Sequence, residues 1–359
     1  MLKEVTAKQL FQIKNAVPID VRSPGEYEES HIPGAVNIAL FTNEERAEVG
    51  TLYRQKGSTA AKWRAMEIVS PKLPAILGAI KEWQEREKQP VIYCWRGGMR
   101  SGAVASFLEF AGLEAIRLSG GYRAYRNYIL EQIPLLIPNR AIVLHGMTGT
   151  GKTDILKRLE QKDYPVIDLE KMAGHRGSLF GSIGFSKDGH NQKTFDSLLF
   201  EGLRQIQDSS YFLVEAESQR IGKVGQPDEL YQKKIEGTNI YLKASLKTRT
   251  ERIYQEYVER NFEQKWFHER ISEKLQLLKK RFKNNVLHET MMEFARQKQY
   301  EPVIGILLEY YYDPRYQYKQ HEYKNKFNSI DADNLEEAVK EIEGLLHKAG
   351  FSRNVFSTE

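Results

Sequence analysis

Two short segments of this chain carry residue types that do chemistry, and the first surrounds its single cysteine. Cys94 opens the segment Cys94-Trp-Arg-Gly-Gly-Met-Arg-Ser101, which joins an apolar run to a predicted helix. The loop amides and the helix N-terminus converge on the sulfur, and Arg96 and Arg100 add positive charge, which favours a nucleophilic thiolate. We therefore predict that Cys94 is catalytic. The predicted anion-binding residues around it are Trp95, Arg96, Gly97, Gly98, Met99, Arg100 and Ser101.

Two chemistries fit this cysteine loop. A thiolate can carry sulfur or selenium as a persulfide-type adduct. It can also attack a phosphoryl group, because the spacing Cys-x5-Arg-Ser is the signature of cysteine phosphatases. The loop alone does not choose between them.

The second segment is a phosphate-binding loop. The sequence satisfies G-x-x-x-x-G-K-[ST] between an apolar strand and a helix, which is the context that gives this motif its meaning. Its backbone N–H groups turn around an anion, the Lys152 ammonium adds charge, and the Thr153 hydroxyl is a candidate Mg²⁺ ligand. The predicted diphosphate-binding residues are Gly146, Met147, Thr148, Gly149, Thr150, Gly151, Lys152 and Thr153.

Polar residues follow the next two predicted strands of the same half. Glutamates stand where a nucleotide hydrolase carries its Walker-B aspartate, so they are candidates for Mg²⁺ or substrate contacts, with helix capping by Glu217 left open as an equal alternative. For His175 alone a structural role is the better interpretation. The residues in this group are Asp168, Glu170, His175, Arg176, Glu215, Glu217, Ser218 and Arg220.

Strands alternating with helices position both loops. In the first half, strands are predicted at 17–21, 90–94 and 115–118, and helices at 73–83 and 101–111. This alternation predicts a parallel sheet covered by helices on both faces. The prolines at 134 and 138 favour a connector without regular structure over residues 133–138.

A second alternation begins after the connector. Strands are predicted at 141–145, 164–168, 211–215 and 239–243, and a helix begins at Lys152. Residues 247–298 are helical and densely charged, and 328–348 is predicted as one amphipathic helix. The predicted fold class is therefore α/β, with a parallel-sheet domain over 1–137 and a P-loop α/β domain with a helical C-terminal part over 138–359.

Composition bounds the partners. The chain has 359 residues, a net charge of +5 and one cysteine, which excludes an internal disulfide or a cysteine-built metal site within one chain. Charge of this size permits a polyanionic partner without requiring one. Apolar runs fall short of a membrane span and no secretory signal opens the chain, so we expect a cytoplasmic protein, and a monomer rather than a dimer.

The first half resembles the rhodanese sulfurtransferases. The resemblance rests on Asp20-Val-Arg-Ser-Pro-Gly-Glu-Tyr27 and Ser30-His-Ile-Pro-Gly-Ala-Val-Asn37. Arg100, however, sits one residue later than the corresponding arginine in most rhodaneses and matches the cell-cycle dual-specificity phosphatases that share the fold. The longer loop suggests room for a tetrahedral anion larger than a bare persulfide.

The whole chain looks like the tRNA 2-selenouridine synthases. The further motifs are Asp168-Leu-Glu170 with His175-Arg-Gly-Ser178, Glu217-Ser-Gln-Arg-Ile-Gly222, and Tyr311-Tyr-Asp-Pro314. Membership implies a transferase that acts on 2-thiouridine at the wobble position, residue 34, of tRNA. Geranyl diphosphate alkylates the sulfur, and selenophosphate then displaces the geranylthio group to leave 2-selenouridine.

The resemblance also implies site roles. The P-loop would hold geranyl diphosphate, and Cys94 would serve selenium transfer with Arg96 and Arg100 as anion ligands. Basic and aromatic clusters at 252–260, 279–283 and 316–324 suit RNA contacts, although a solvated helix face explains any one of them equally well. Two alternatives remain: a P-loop kinase or NTPase regulated by its rhodanese domain, and a rhodanese-fold cysteine phosphatase.

Overall fold

The computed structural model describes residues 3–176, 189–282, 285–315 and 323–353. The chain divides into two compact units. One comprises Met1–Leu135 with Lys193–Glu201, and the other comprises Leu136–Gln192 with Gly202–Glu359. The predicted boundary after residue 137 lies close to the break between Leu135 and Leu136. The prediction did not place Lys193–Glu201 in the first unit. Among the described residues, no helix has the length and apolar character needed to span a bilayer.

The first unit is built on a parallel sheet, as predicted. Within the described ranges this sheet has five strands in the order β1-β5-β4-β2-β3, and every pairing is parallel. The predicted strands at 17–21, 90–94 and 115–118 correspond to β2, β4 and β5. The strands are β1 Lys3–Val5, β2 Ala16–Asp20, β3 Val36–Asn37, β4 Gln89–Tyr93 and β5 Ile116–Leu118.

Helices cover this sheet. The helices are α1 Ala7–Leu10, α2 Pro24–Glu29, α3 Asn43–Val69, α4 Leu73–Glu85, α5 Met99–Phe110 and α6 Gly121–Leu136, with a 3₁₀ turn at Ser70–Lys72. The predicted helices at 73–83 and 101–111 are confirmed as α4 and α5. Helix α3 is broken at Gly57, whose φ of 84° lies in the left-handed region. The core packs Ile19, Ile92 and Val104 together, all inaccessible to solvent.

Helix α6 corrects the predicted connector. The helix continues to Leu136 and holds Pro134 within it, so residues 133–136 are not irregular. A proline costs a helix one backbone hydrogen bond and about 3 kcal/mol. Tyr122, Tyr125, Ile129 and Ile133 are buried at helical spacing along one face, and this packing outweighs the local penalty of the proline.

The second unit is a second parallel sheet. In the part of the chain that the structure describes, its order is β12-β11-β6-β8-β7, with every pairing parallel. The strands are β6 Arg140–Gly146, β7 Val166–Ile167, β8 Tyr211–Glu215, β11 Thr238–Lys243 and β12 Phe327–Asp331, and β9 Arg220–Ile221 with β10 Val224–Gly225 forms a separate antiparallel pair. The predicted strands at 141–145, 164–168, 211–215 and 239–243 are confirmed, with the second shortened to two residues.

The helices of this unit are α7 Lys152–Glu160, α8 Leu169–Ala173, α10 Asp228–Ile235, α11 Leu246–Ile253, α12 Lys265–Leu277, α13 Asn285–Arg296, α14 Tyr300–Leu307 and α15 Leu335–Lys348. Helix α9, Gln192–Gln205, is divided between the units, since its residues Lys193–Glu201 belong to the first. Residues 254–259 and 308–312 are π-helical, and 279–281 form a 3₁₀ turn. The predicted helical region is confirmed over its described part. Its helices pack on a core of their own around Phe267, Leu275 and Met291.

The predicted helix at 328–348 is wrong in its first part. Residues 327–331 form the edge strand β12, paired in parallel with β11, and only Leu335–Lys348 is helical. The Asn334 side chain accepts hydrogen bonds from the backbone N–H groups of Glu336 and Glu337, which starts the helix at that point. Ile330 is buried in the sheet core, so tertiary pairing decides a segment that is ambiguous locally.

Candidate functional site

Cys94 lies at the carboxyl end of β4, where loops of a parallel sheet carry function. The Cys94 side chain is 3% exposed, and its Sγ lies 3.3 Å from the Oγ of Ser101 in the first turn of α5. Ser101 is itself fully buried. The structure therefore brings the predicted nucleophile and one of its predicted partners into direct contact.

The environment favours the thiolate of Cys94. Burial raises the pKa of the thiol, but the hydrogen bonds from Ser101 and the charge of Arg100 outweigh it, so the pKa lies below its ordinary value. This is the direction that makes a cysteine reactive at neutral pH. The sequence-based prediction of a lowered pKa is thus supported by the geometry.

An ion pair that sequence reasoning missed positions Arg100. Its Nη1 and Nη2 donate to the two carboxylate oxygens of Glu26 at 2.6 and 3.2 Å. Arg46 from α3 approaches the same carboxylate at 3.7 Å. Glu26 belongs to the rhodanese-like segment, 74 residues away in sequence, so only the resemblance could have pointed to it.

Glycines allow the cysteine loop to pack tightly against a neighbouring turn. A Cβ on Gly121 would lie 2.2 Å from the carbonyl oxygen of Cys94, and a Cβ on Gly97 would lie 2.7 Å from the backbone N of Gly120. Both Gly97 and Gly121 have φ near 60°, which glycine adopts without strain. The N–H of Tyr122 donates to the Cys94 carbonyl at 2.9 Å and fixes the contact.

The remaining predicted loop residues are spread over its surface. Arg96, Gly98 and Met99 are exposed, with Met99 at 60%. The Trp95 ring is half-buried, 5.7 Å from the ring of Tyr122. Thus Arg100 and Ser101 support the thiol directly, whereas Arg96 faces solvent, where it can meet an incoming anion.

Residues of the rhodanese-like signature pack against the cysteine loop and support it. Arg22 and Asp20 form a buried ion pair at 2.6 Å, and the Arg22 Nη2 also donates to the Ser30 carbonyl at 2.6 Å. The Arg22 guanidinium lies 4.5 Å from the centroid of the Tyr122 ring. Since Tyr122 is bonded to the Cys94 carbonyl, the signature acts here as a structural foundation of the loop.

Replacing Ser101 with alanine should raise the pKa of Cys94. A hydrogen bond to a charged group is worth about 1.5–3 kcal/mol, so we expect the alkylation rate by iodoacetamide at pH 7 to fall about tenfold and its midpoint to move to higher pH. Ser70→Ala, which removes a hydroxyl bonded to the carbonyl of Met66 in a helix, is the matched control. If Ser101→Ala does not change the pH profile of alkylation, Ser101 does not stabilise the thiolate.

The P-loop of the second unit joins β6 to α7, as the motif requires. Gly149 and Gly151 have φ of 82° and 86°, conformations open to glycine. The Lys152 Nζ donates to the carbonyls of Gly146 and Met147 at 3.0 and 3.4 Å, so the ammonium lies within the curve of the loop. A diphosphate bound there would meet both the ammonium and the N-terminus of α7.

Two arginines hold the P-loop from the helical region. Arg249 donates from Nε to the Thr148 carbonyl at 2.8 Å and pairs with Asp313 at 2.6 Å. Arg252 donates from Nη1 to the Thr150 carbonyl at 3.0 Å and from Nη2 to the Ala332 carbonyl at 2.7 Å. Arg252 begins the cluster 252–260, for which RNA contact and a solvated helix face were both left open, and in the structure its guanidinium holds the P-loop. The roles of Arg249 and Asp313 were missed. Arg249 lies about 100 residues beyond the loop in the sequence, and Asp313, although part of the motif Tyr311-Tyr-Asp-Pro314, lies 64 residues beyond Arg249.

A carboxylate cluster lies beside Thr153. Carboxylate oxygens of Glu170, Glu215 and Glu217 lie within 4.8 Å of one another. The Thr153 hydroxyl donates to Glu215 at 2.7 Å and lies 3.3 Å from a carboxylate oxygen of Glu170. The structure therefore brings four predicted residues together, and Glu217, in the segment between β8 and β9, caps no helix.

Burial dominates the charge state of this cluster. Burial and the neighbouring carboxylates raise the pKa of Glu170. The pKa of Glu215 is also raised, chiefly by burial and to a smaller extent by the charge of Glu217. Like charges held this close in a low-dielectric site favour a bound cation or a shared proton. Carboxylate and hydroxyl oxygens are the ligand types that Mg²⁺ prefers.

A cleft of about 420 Å³ opens at the P-loop. Its wall includes Lys152 and Thr153, the three glutamates of the cluster, and Arg176. Arg176 pairs with Glu256 at 2.9 Å and its guanidinium lies 4.9 Å from the centroid of the Tyr257 ring. The cleft thus combines anion-binding and cation-binding groups, as a metal diphosphate complex requires.

Comparisons with known proteins match both units. A profile described as the tRNA 2-selenouridine synthase AAA domain matches residues 139–345, and the rhodanese-like domain profile matches residues 5–128. The chain belongs to the tRNA 2-selenouridine synthase family. This confirms the resemblance and the fold class predicted from the sequence.

Relatives named tRNA 2-selenouridine synthase come from several bacteria. The chain is 36% identical to that of Bdellovibrio bacteriovorus over 263 residues, covering 72% of this chain and 68% of the relative. It is 32% identical to that of Bordetella petrii over 341 residues, covering 87% and 89%. The alignment with the Nitrosomonas europaea relative, at 33% identity, spans 67% of this chain and 63% of the relative.

Two of the motifs that carry the sequence resemblance contact each other in the second unit. The ring of His175 lies against Gly222, where an added Cβ would come within 2.9 Å of its Cγ. Asp168 caps α8, accepting from the Lys171 N–H at 2.9 Å. Arg220 is exposed in β9, and Ser218 is half-buried, with its carbonyl accepting from Gln226.

These four predicted residues, Asp168, His175, Ser218 and Arg220, do not form part of the described wall of the cleft. Asp168 acts in the structure as a helix cap, and the position of His175 agrees with the structural role preferred for it. The motif residues 177 and 178 lie outside the described residues.

Proposed function

We propose that this chain converts 2-thiouridine at the wobble position of tRNA to 2-selenouridine through an S-geranyl-2-thiouridine intermediate. The co-substrates are geranyl diphosphate and selenophosphate. One observation carries the proposal: a chain of this family holds both a thiol with a lowered pKa, Cys94, and a complete P-loop ending in Lys152 and Thr153. Each is an anion site suited to one of the two co-substrates.

In the first step the sulfur of 2-thiouridine forms a bond to C1 of the geranyl group as the C1–O bond breaks. The departing diphosphate takes the electron pair, so its negative charge grows in the transition state. The Lys152 ammonium and the P-loop N–H groups are placed to bind that charge, and the bonds from Arg249 and Arg252 hold the loop in shape.

The residues beside the P-loop fit a magnesium ion. Thr153 and Glu215 would hold it, with Glu170 and Glu217 near by, because the hydroxyl lies 2.7 Å from Glu215 and carboxylate oxygens of the three glutamates lie within 4.8 Å of one another. When bound, the ion neutralises charge on the diphosphate and so makes it a better leaving group. Without a cation, the buried carboxylates would repel the same diphosphate.

The second step belongs to the cysteine loop. Selenium bonds to C2 of the uridine as the C2–S bond breaks, geranylthiolate leaves with the electron pair, and hydrolysis of the Se–P bond releases phosphate. Arg100, held by Glu26, and exposed Arg96 supply charge for the selenophosphate anion. We assign the Cys94 thiolate to this selenium transfer and not to the geranylation step.

The RNA partner enters as the anticodon region, whose loop lets the wobble base leave its stack at modest cost. Residues 252–260 keep a role as candidate phosphate contacts, with Arg252 and Arg260 on the wall of the cleft. Residues 283 and 316–322 of the other basic clusters lie outside the described residues. We further propose that the chain works in the cytoplasm as a monomer.

Mass spectrometry of tRNA nucleosides tests the function directly. Purified protein is given tRNA with 2-thiouridine, first with geranyl diphosphate and Mg²⁺, then also with selenophosphate. We expect S-geranyl-2-thiouridine in the first reaction and 2-selenouridine in the second. ATP or GTP hydrolysis that tRNA stimulates, with no modified nucleoside, would favour the NTPase alternative, and turnover of a phosphopeptide would favour the phosphatase.

A further inference from the structure

An apolar cavity opens beside the P-loop within the second unit. It measures about 70 Å³ and lies among the helices of the C-terminal region. Thr148, Ile253 and Tyr257 line both this cavity and the cleft that holds the P-loop. The P-loop cleft and the apolar cavity are therefore adjacent and share part of their walls.

The inner wall of the cavity is hydrocarbon. Phe267, Ile271 and Leu275 line it from α12, and Val303, Ile304 and Leu307 line it from α14. The hydroxyl of Tyr300, a further lining residue, is engaged with Nδ1 of His268 at 2.6 Å. A ligand part with polar edges would lose its hydrogen bonds in such a space, at a cost of several kcal/mol by general transfer data. A saturated or alkenyl chain loses none.

Both π-helical segments of the described chain border this cavity. Tyr257 and Val258 belong to the segment 254–259, and Leu308 and Tyr312 belong to 308–312. Such segments are rare, and they are found frequently at functional sites. Here both segments contribute lining residues to a single apolar cavity next to an anion site.

We infer that this cavity binds the far end of the hydrocarbon chain of a diphosphate held in the P-loop, and that it selects the length of that chain. The inference rests on the proposed function and extends it to the specificity of the first step. A nucleoside triphosphate does not match this pairing, since its base and ribose need polar partners. A prenyl diphosphate matches it at both ends.

The volume limits the chain. A water-sized group needs about 10–15 Å³ of such space, so a cavity of about 70 Å³ takes roughly five to seven such groups, close to one isoprene unit. The nearer part of a ten-carbon chain then passes Ile253 and Tyr257 toward the diphosphate. A fifteen-carbon chain exceeds the space, and a five-carbon chain leaves the cavity empty.

Chain-length competition tests the inference with variants in the cavity. Ile304→Phe fills it and Ile271→Ala enlarges it, and both side chains are buried. We expect Ile304→Phe to shift the kcat/KM ratio of geranyl to dimethylallyl diphosphate at least about tenfold toward the shorter chain, and Ile271→Ala to shift preference toward farnesyl diphosphate. Leu277→Phe, at a position 68% exposed on the same helix as Ile271, is the matched control.

Inhibition by inorganic diphosphate shows in every variant whether the P-loop still binds a diphosphate. Shifted chain preference with unchanged diphosphate inhibition supports the inference. Unshifted preference in both cavity variants overturns it while tRNA geranylation, and with it the proposed function, stands. If Ile304→Phe loses diphosphate inhibition through misfolding, Ile271→Ala decides alone. Absence of prenyl transfer to tRNA from any diphosphate by the unaltered chain defeats the proposed function and the inference together.

Discussion

Replacing Cys94 with alanine is expected to abolish selenium incorporation into tRNA while leaving geranylation close to the rate of the unaltered chain. The thiolate belongs to the cysteine loop of the first unit, where Ser101 and Arg100 lower its pKa, and geranyl transfer uses the P-loop. Chemistry by a positioned side chain contributes a factor of at least about 100, so selenation should fall by that much or more. The measurement is mass spectrometry of both nucleosides in one reaction.

The variant must also be shown to fold. Cys94 lies in the core of the first unit, so alanine removes a buried sulfur, and Cys94→Ser, which keeps the volume, checks for packing damage. S-geranyl-2-thiouridine should accumulate with both variants, since its consumption stops. Loss of geranylation in a folded variant contradicts the division of labour, and continued selenation removes Cys94 from the chemistry.

Local patterns predicted the parts of the molecule that local physics decides. Apolar runs bounded by turns gave the strands β4, β6 and β8 closely, because a strand buried on both faces needs a continuous apolar segment. The motif at 146–153 predicted the P-loop, since its glycines and Lys152 have roles set by the loop itself. Where local and tertiary preferences disagree, at Pro134 and at residues 327–331, the predictions were wrong and packing decided.

The supports of both sites could not be predicted in this way. Glu26 reaches Arg100, and Asp313 reaches Arg249, across 74 and 64 residues of sequence. Their meeting depends on how helices pack on a sheet, which no periodicity encodes. The apolar cavity has the same origin: its residues look like ordinary core positions of amphipathic helices, and only the fold shows that they leave space beside the P-loop.

The carboxylates beside the P-loop could be predicted in part from the sequence. Glu215 and Glu217 follow β8, so their approach to the P-loop follows from the parallel sheet, and the sequence indicated them as candidates. Which of them contacts Thr153 depended on the strand register. Glu215 ends β8, where it pairs with Leu144 of β6, and its carboxylate accepts a hydrogen bond from the Thr153 hydroxyl. Glu215 therefore stands where nucleotide hydrolases carry the Walker-B aspartate.

Lys152→Ala should weaken geranyl diphosphate binding about 10- to 100-fold and reduce geranylation in proportion. Hydrogen bonds to a charged group are worth about 1.5–3 kcal/mol, and each 1.4 kcal/mol is a factor of ten in affinity. Titration calorimetry with geranyl diphosphate measures the loss. Lys247→Ala is the matched control, because that lysine is 85% exposed and lies on α11.

The two steps separate the role of Lys152 from a general loss of charge. With tRNA already carrying S-geranyl-2-thiouridine, Lys152→Ala should still exchange selenium, since that reaction needs no diphosphate, whereas Cys94→Ala should not. Equal failure of both variants on this substrate would show that the P-loop serves the second step too. Unchanged affinity in Lys152→Ala would mean that the ammonium, although it lies within the curve of the loop, does not bind the diphosphate.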